Sequence, residues 1–517
     1  MNSDAHSSLP RSGPDTRVKH AGARKESAQP PNVLIIHADQ HRWDCIGAAG
    51  NPDVETPNID ALARAGVRYC NSFCCYPVCT PSRYSLLSGL HVHQHLGWTN
   101  HSTLSPALPT FPRILRDAGY ATKAVGKMHF TPTYLDVGFD DMVLAEQDGP
   151  GRWDDDYHRD LKRLNLVDAV DIIDQRSEYR QHAADEYWRT FGAVASDLPA
   201  EHHSTSWIGS HALAAVDDWN RGTPNLLMVG FIKPHHPHDP PAPWSEMYDP
   251  ETLTLLPGWT EEVPPLDRGG GYFPNETLTA ADLRRMMAMY YGNVSHIDDY
   301  VGRLVERLKE RGLYENTMII YTSDHGDHLG YHHLGLKGGY LYDSIMRVPL
   351  IVKYPGGKDE GTVSRAMVNN IDVAPTILGQ AGREIPHSMP GSDLLNAEVD
   401  ADTVFAENAG GREYAVRTGT RKLLYRGPDG TSQFFDLEND PEERVNLFDD
   451  PAHREEIDEL LRKLMHWQIF GSRTPNVVDE EAPVIRQPNA QSPHDGHREE
   501  TAAYYRQAIR RSHLFSP

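Results

Sequence analysis

Apolar residues follow two rhythms along this chain. Short unbroken runs, Val33-Leu34-Ile35-Ile36, Leu226-Leu227-Met228-Val229 and Met318-Ile319-Ile320-Tyr321, are bounded by polar residues and are too brief for buried helices. They predict strands covered on both faces, as in a parallel sheet, and Thr122 to Val125 reads as another strand. The second rhythm is helical. Leu283, Met286, Met287, Tyr290, Tyr291, Val294, Ile297, Val301, Leu304, Val305 and Leu308 recur at helical spacing and predict one long packing helix from Ala280 to Arg311. Shorter helices are predicted from Glu55 to a stop at Gly66, over residues 81 to 90, from Leu108 to Ala118, and from the His202 to Trp207 stretch up to Trp219. Strands alternating with helices predict an α/β fold with a mostly parallel central sheet flanked by helices. Past about residue 400 the texture changes. Tyr414 to Thr418, Arg421 to Arg426 and Ser432 to Leu437 predict a short antiparallel sheet, and Ile457, Leu460, Leu461, Leu464 and Met465 mark an amphipathic helix behind it. The expected organisation is a flexible arm over 1–30, a large domain over 31–400, a smaller α+β subdomain over 401–470, and an extended tail over 471–517 that could wrap a neighbouring subunit.

Each predicted strand ends in polar residues. The first delivers Asp39-Gln40, the second Gly126-Lys127-Met128-His129, the third Lys233-Pro234-His235-His236-Pro237-His238, and the fourth Ser323-Asp324-His325-Gly326-Asp327. In open α/β sheets this carboxyl edge is where ligands bind. Taken singly, each residue has a plainer use: Asp39 as a helix cap or turn residue, Lys127 as a solvated lysine, His202 and His203 as surface or core side chains. His235, His236 and His238 invite a zinc site, but H-H-x-H lacks the i, i+4 spacing that puts two imidazoles on one helix face.

Charge narrows the ligand. With 73 Asp and Glu against 50 Lys and Arg the formal charge is -23, which argues against nucleic acid and against an anionic membrane surface. An anionic substrate therefore needs a local positive cluster. No apolar run is long enough to span a bilayer, and residues 1 to 30 lack the hydrophobic segment of a secretory signal, so the expected location is the cytoplasm. The five cysteines all fall between Cys45 and Cys79. Their spacing is not a usual zinc pattern, and Cys45, Cys70, Cys74 and Cys75 are expected to be reduced core thiols.

Cys79-Thr80-Pro81-Ser82-Arg83, followed by Leu86-Leu87-Ser88-Gly89, resembles the maturation signature of the type I sulfatases, within the alkaline-phosphatase-like superfamily. The plain alternative for Cys79 is a small buried thiol. Further matches follow in family order: Thr56-Pro57-Asn58, Gly126-Lys127-Met128-His129, Pro234-His235-His236-Pro237, Ser323-Asp324-His325-Gly326, Lys337, Tyr342-Asp343 with Arg347-Val348-Pro349, and Asp440-Pro441-Glu442 with Asn446-Leu447. The resemblance extends from about Asn32 to Trp467.

It implies hydrolysis of a sulfate monoester to alcohol and inorganic sulfate. Cys79 would be oxidised to formylglycine (3-oxoalanine) by a formylglycine-generating enzyme, and its hydrated aldehyde would pass through a covalent sulfo-enzyme intermediate. By the same resemblance Asp39, Gln40, Cys79, Asp324 and His325 would hold one divalent ion. Arg83 would steady the diol, with Asp324 assisting its deprotonation. Lys127 and Lys337 would bind sulfate oxygens, His235 would protonate the leaving alcohol, and His129 would take the second hydroxyl's proton. Arg347 is expected to be structural.

Calcium is the family's usual ion. Gln40 stands where many members have aspartate and His325 where many have asparagine, which admits magnesium or manganese. The Gly126 to Phe130 wording and the Asp39-Gln40 pair look like choline-sulfatase-like bacterial members. Choline sulfate, an aryl sulfate and a sulfated sugar all stay open as substrates. A phosphonate monoester or phosphodiester hydrolase on the same scaffold is the alternative enzyme, and an inactive binding protein or a cysteine-cluster metal module is the alternative class.

Overall fold

The computed structural model describes residues 30–147, 154–268, 273, 275–395, 402–427, 431–471 and 496–512. The arm expected before residue 30 lies outside them.

The strands are β1 (Asn32–Asp39), β2 (Val67–Phe73), β3 (Ala121–Gly126), β4 (Asp141–Leu144), β5 (Asn225–Pro234), β6 (Thr317–Ser323), β7 (Leu350–Lys353) and β8 (Thr362–Asn369), forming one sheet in the order β4-β3-β5-β1-β6-β7-β2-β8. All pairings are parallel except those of β7, which runs antiparallel to both β6 and β2. β1, β5 and β6 are buried along their whole length, which is why they read as unbroken apolar runs.

The two-residue period sorts their side chains onto two faces. Val33, Ile35, Met228 and Ile320 pack with Leu86, Leu87, Phe111 and Ile377 on one side. Leu34, Ile36, Val229 and Tyr321 pack with Ile208, Val216, Ile297 and Val301 on the other. Each such buried side chain contributes roughly 1.5–3 kcal/mol. The helices Cys79–Ser88, Phe111–Asp117 and Val373–Gln380 thus cover the first face, and Ser204–Asp217 with the 31-residue Ala280–Glu310 cover the second. The long helix starts at a capping box, Thr279 with Asp282.

Two local irregularities shape the carboxyl edge. Register between β1 and β5 slips after Ala38, so that Asp39 stands opposite Pro234 instead of continuing the ladder. At the end of β3, Gly126 has φ +89°, and a Cβ there would lie 2.2 Å from the Gly230 carbonyl oxygen. Only glycine permits that approach, and it lets Lys127 N–H donate to Gly230 O at 2.7 Å.

The smaller unit is an antiparallel sheet, β9 (Thr403–Asn408), β10 (Glu413–Thr418), β11 (Arg421–Arg426) and β12 (Gln433–Asp436), in the order β12-β11-β10-β9. Val416, Leu423 and Phe434 face Ile457, Leu460 and Leu464 of the helix Arg454–His466. Ala406, Ala415, Leu424 and Phe435 face Tyr342, Ile345 and Met346 of the large domain. The mostly parallel α/β sheet expected for the large part and the short antiparallel sheet with a helix expected for the small one are therefore both present, with β9 an additional strand. The extended tail expected over 471–517 differs where it is described: Gly496–Ile509 is a helix. Its Tyr505 and Ile509 are fully buried, and Tyr505 OH donates to His158 O at 2.7 Å, so this segment packs on its own chain. No helix among the described residues is long and apolar enough to cross a membrane.

Candidate active site

The ends of β1, β3, β5 and β6 converge on the start of the Cys79–Ser88 helix. Cys79 is its first residue and is completely buried. Its Sγ lies 3.1 Å from Lys337 Nζ, 3.3 Å from His325 Nε2 and 3.8 Å from Asp39 Oδ1. Burial and Asp39 push this thiol up, yet Lys337, Lys127 and His325 together hold it well below the usual thiol range.

Beneath it Arg83 commits every guanidinium nitrogen. Nη2 donates to Asp39 Oδ2 at 2.8 Å, Nε to Asp324 Oδ2 at 3.0 Å, and Nη1 to the Lys127 carbonyl at 2.6 Å. Arg83 therefore grips the two carboxylates and not Cys79 directly, because the geometry of its fork matches them. Lys127 Nζ pairs with the same Asp39 Oδ2 at 2.9 Å and with Gln147 Oε1 at 3.1 Å. Burial alone would raise the Asp39 carboxyl; Lys127, His235, Arg83 and Lys337 keep it well below its ordinary range. In turn Asp39 and Cys79 raise Lys127 against its burial.

One ligand atom each from Asp39, Cys79, Asp324 and His325 lies within 4.8 Å of the others, the described set of acidic, imidazole and thiol groups fit for a cation. Three details fit an ion there. Arg83 and Lys127 occupy the Oδ2 atoms of the carboxylates and leave Asp39 Oδ1 facing Cys79. His325 Nδ1 lies 2.9 Å from the Gly326 carbonyl, which fixes a proton there and turns Nε2, the atom that would bind an ion once it gives up its own proton, toward Cys79. Gln40 Oε1 is buried without a hydrogen-bond partner. Carboxylate and amide oxygens with one imidazole suit Ca2+, Mg2+ or Mn2+.

On the outer side His235 Nε2 accepts from Lys337 Nζ at 2.7 Å, and its Nδ1 donates to the His236 carbonyl at 2.6 Å, so Nε2 is the ring atom that can exchange a proton once Lys337 turns away. Burial first, then Lys337 and Lys127, hold this imidazole well below its usual range. His129 is buried with both ring nitrogens unpartnered, and its backbone is left-handed at φ 56°. His236 and His238 turn elsewhere. The first pairs with Asp174 at 2.6 Å, and the second lies against the Tyr290 ring with centroids 5.3 Å apart.

The structure thus brings together Asp39, Gln40, Cys79, Arg83, Lys127, His235, Asp324, His325 and Lys337, with His129 on the adjoining loop. Cys45, Cys70, Cys74 and Cys75 are free thiols, with Cys70 and Cys74 directed at the carbonyls of Ser364 and Ile345. Arg347 is structural: its guanidinium stacks 3.6 Å over Trp43 and bonds the Cys70 carbonyl.

Three further residues were not anticipated. Glu146 accepts the backbone N–H groups of Met128 at 3.1 Å and His129 at 2.9 Å and so fixes the Lys127–His129 loop. Gln147 links Lys127 to Asp171. Asp327 accepts from Gln40 Nε2 at 2.5 Å. Glu146-Gln147 follow the short strand Asp141–Leu144, so position after a strand was the available signal.

Two family models match the chain, "Sulfatase" over residues 31–383 and "N-sulphoglucosamine sulphohydrolase, C-terminal" over 332–469. The chain is similar to an arylsulfatase of Clostridium perfringens, 30% identical over 475 residues that cover 85% of this chain and 95% of that one. It is also similar to a choline-sulfatase of Rhizobium meliloti, 28% identical over 81% of this chain and 83% of the other. Among solved structures, a phosphonate monoester hydrolase from Silicibacter pomeroyi superposes with TM-score 0.71 at 27% identity, covering 86% of this chain and 96% of that one.

Proposed function

The chain belongs to the sulfatase family and is a sulfuric ester hydrolase, and from that premise we propose that a formylglycine made from Cys79 is its nucleophile, assisted by one divalent cation, Ca2+ or else Mg2+ or Mn2+. The observation that carries this reading is the seat of Cys79 Sγ, within 3.1 Å of Lys337 Nζ and 3.3 Å of His325 Nε2 on a buried floor. The thiol is the unmodified precursor, and its sulfur stands where the oxygens of a hydrated aldehyde would lie. That group would supply a geminal diol, one hydroxyl to attack sulfur and a second whose deprotonation expels sulfate. The cation, held by Asp39, Gln40, Asp324 and His325, would supply Lewis-acid stabilisation of negative charge on oxygen.

The chain's own residues do the rest. Lys337 releases His235 and turns to a sulfate oxygen when substrate enters, and Lys127 presents its charge from behind Asp39, so that preorganised cations meet the charge that grows in the transition state. His235 keeps its Nδ1–H on the His236 carbonyl; when the anionic sulfate ester draws Lys337 away, its Nε2 takes up a proton from solvent and passes it to the departing alkoxide, returning the ring to its neutral form. Asp324, gripped by Arg83, is oriented to assist deprotonation of the attacking hydroxyl. His129, with no partner for either ring nitrogen, accepts the proton whose loss frees sulfate. Arg83 acts through the two carboxylates. A formylglycine-generating enzyme is the maturation partner that this reading requires.

A phosphonate monoester hydrolase is the second reading, favoured by the 27% identical Silicibacter pomeroyi structure. Turnover of 4-nitrophenyl sulfate is compared with that of a phenylphosphonate 4-nitrophenyl monoester, using protein matured with a formylglycine-generating enzyme. A higher kcat/KM for the sulfate supports the first reading. A preference for the phosphonate replaces it with the second.

A further inference from the structure

Gln40 is held at every polar atom but one. Its N–H donates to Asp324 Oδ1 at 3.0 Å, its carbonyl accepts from Tyr290 OH at 2.7 Å, and its Nε2 donates to Asp327 Oδ2 at 2.5 Å. Its backbone is left-handed at φ 63°, a conformation that these bonds pin. Oε1 remains, buried and unpartnered, on the residue next to Asp39. Asp327 is itself fully buried, and its second oxygen, Oδ1, accepts from Leu329 N–H at 2.7 Å.

An ionised carboxylate only accepts, so it takes the NH2 end of a facing amide and turns the amide oxygen away. A neutral partner could receive either end. We propose that Asp327 is a positioning residue for the divalent cation: it fixes the Gln40 side chain with its oxygen, and not its NH2, available as a ligand. It also supplies, one side chain removed from the ion, the negative charge that a carboxylate at position 40 would bring. This rests on the reading of Asp39, Gln40, Asp324 and His325 as a cation site. It gives the amide at position 40 a physical reason. A carboxylate there would face Asp327 at hydrogen-bond distance, two like charges in a fully buried place.

The test is calorimetric titration of metal-free protein with Mn2+, and separately with Ca2+, for wild type, Asp327→Asn, Asp327→Ala and the double variant Asp327→Asn with Gln40→Glu. Near-UV circular dichroism of each metal-free protein checks the fold. Losing an outer partner of a metal ligand typically costs 10–100-fold in affinity, which is the fall expected for both single variants. In the double variant the new amide donates to one oxygen of the new carboxylate and leaves the other for the ion, so affinity returns to within a few-fold of wild type. Single variants that bind as tightly as wild type, or a double variant no tighter than Asp327→Asn, overturn the proposal and leave the cation site standing. Wild-type protein that takes up neither ion removes the cation site and the proposal with it.

Discussion

His235 can be separated from its neighbours by the substrate it is given. Its Nε2, which Lys337 Nζ meets at 2.7 Å, is the ring atom placed to exchange a proton, because Nδ1 is bound to the His236 carbonyl at 2.6 Å. An alkyl sulfate leaves as a strongly basic alkoxide and needs that proton, whereas 4-nitrophenolate leaves without it. His235→Ala should therefore lower kcat on an alkyl sulfate by about 10²–10⁴-fold and on 4-nitrophenyl sulfate much less. Equal losses on both substrates would deny His235 the role of acid. Membership of the cluster at the strand ends was legible at Cys79, Lys127, His235, Asp324 and Lys337, since short motifs name them. Arg83 was legible as a member of the site and illegible in its contacts. Nothing in Cys79-Thr80-Pro81-Ser82-Arg83 says that the guanidinium would be consumed by Asp39 and Asp324. Glu146 and Asp327 were missed because an acceptor for backbone N–H or amide groups needs no fixed spacing from what it holds.

Strand ends place these groups, and two changes test that placement. Gly126→Ala would put a Cβ 2.2 Å from the Gly230 carbonyl in a backbone at φ +89°, so β3 and β5 must part where Lys127 leaves the sheet. A cost of roughly 2–4 kcal/mol is expected, read as a lower Tm together with a loss of turnover. Glu146 joins the end of β4 to the Lys127–His129 loop, and burial, opposed by His129, pushes its carboxyl up to about 7. In the unfolded chain the same group titrates near about 4. Between those values the folded state binds the extra proton, so this group's contribution to stability is full at low pH and is lost as pH rises through about 7. Wild-type stability measured against Glu146→Gln should therefore fall by on the order of 3 kcal/mol from pH 4 to pH 8. A flat difference would show that the folded carboxyl titrates normally. The central strands were legible because they are apolar without interruption. β2 was not, since Val67-Arg68-Tyr69-Cys70-Asn71-Ser72-Phe73 mixes polar and apolar residues near the sheet edge, and the reversed direction of β7 has no signature in Leu350-Ile351-Val352-Lys353.

Across the whole molecule the small sheet is locked to the segment that follows Lys337. Lys422, fully buried on β11, pairs with Asp343 Oδ1 at 2.8 Å and Glu443 Oε1 at 2.6 Å, and Glu443 Oε2 accepts from Tyr331 OH at 2.9 Å. Lys422→Met would leave two buried carboxylates without their shared cation, at a cost of about 3–5 kcal/mol. A fall in Tm with a weakened KM for sulfate ester is expected, since Tyr331 and Asp343 bracket Lys337; an unchanged KM would mean that the two units are coupled only through stability. The excess of negative charge across the chain contrasts with a site that gathers Arg83, Lys127 and Lys337 around two carboxylates. The anion is thus received by a local arrangement and not by the overall field. On the proposed mechanism that arrangement works through a converted Cys79, so the most direct measurement is the mass of the peptide carrying Cys79 from protein made alongside a formylglycine-generating enzyme. An aldehyde in place of the thiol is the expected result. A thiol that persists while a control sulfatase in the same cells is converted would contradict it.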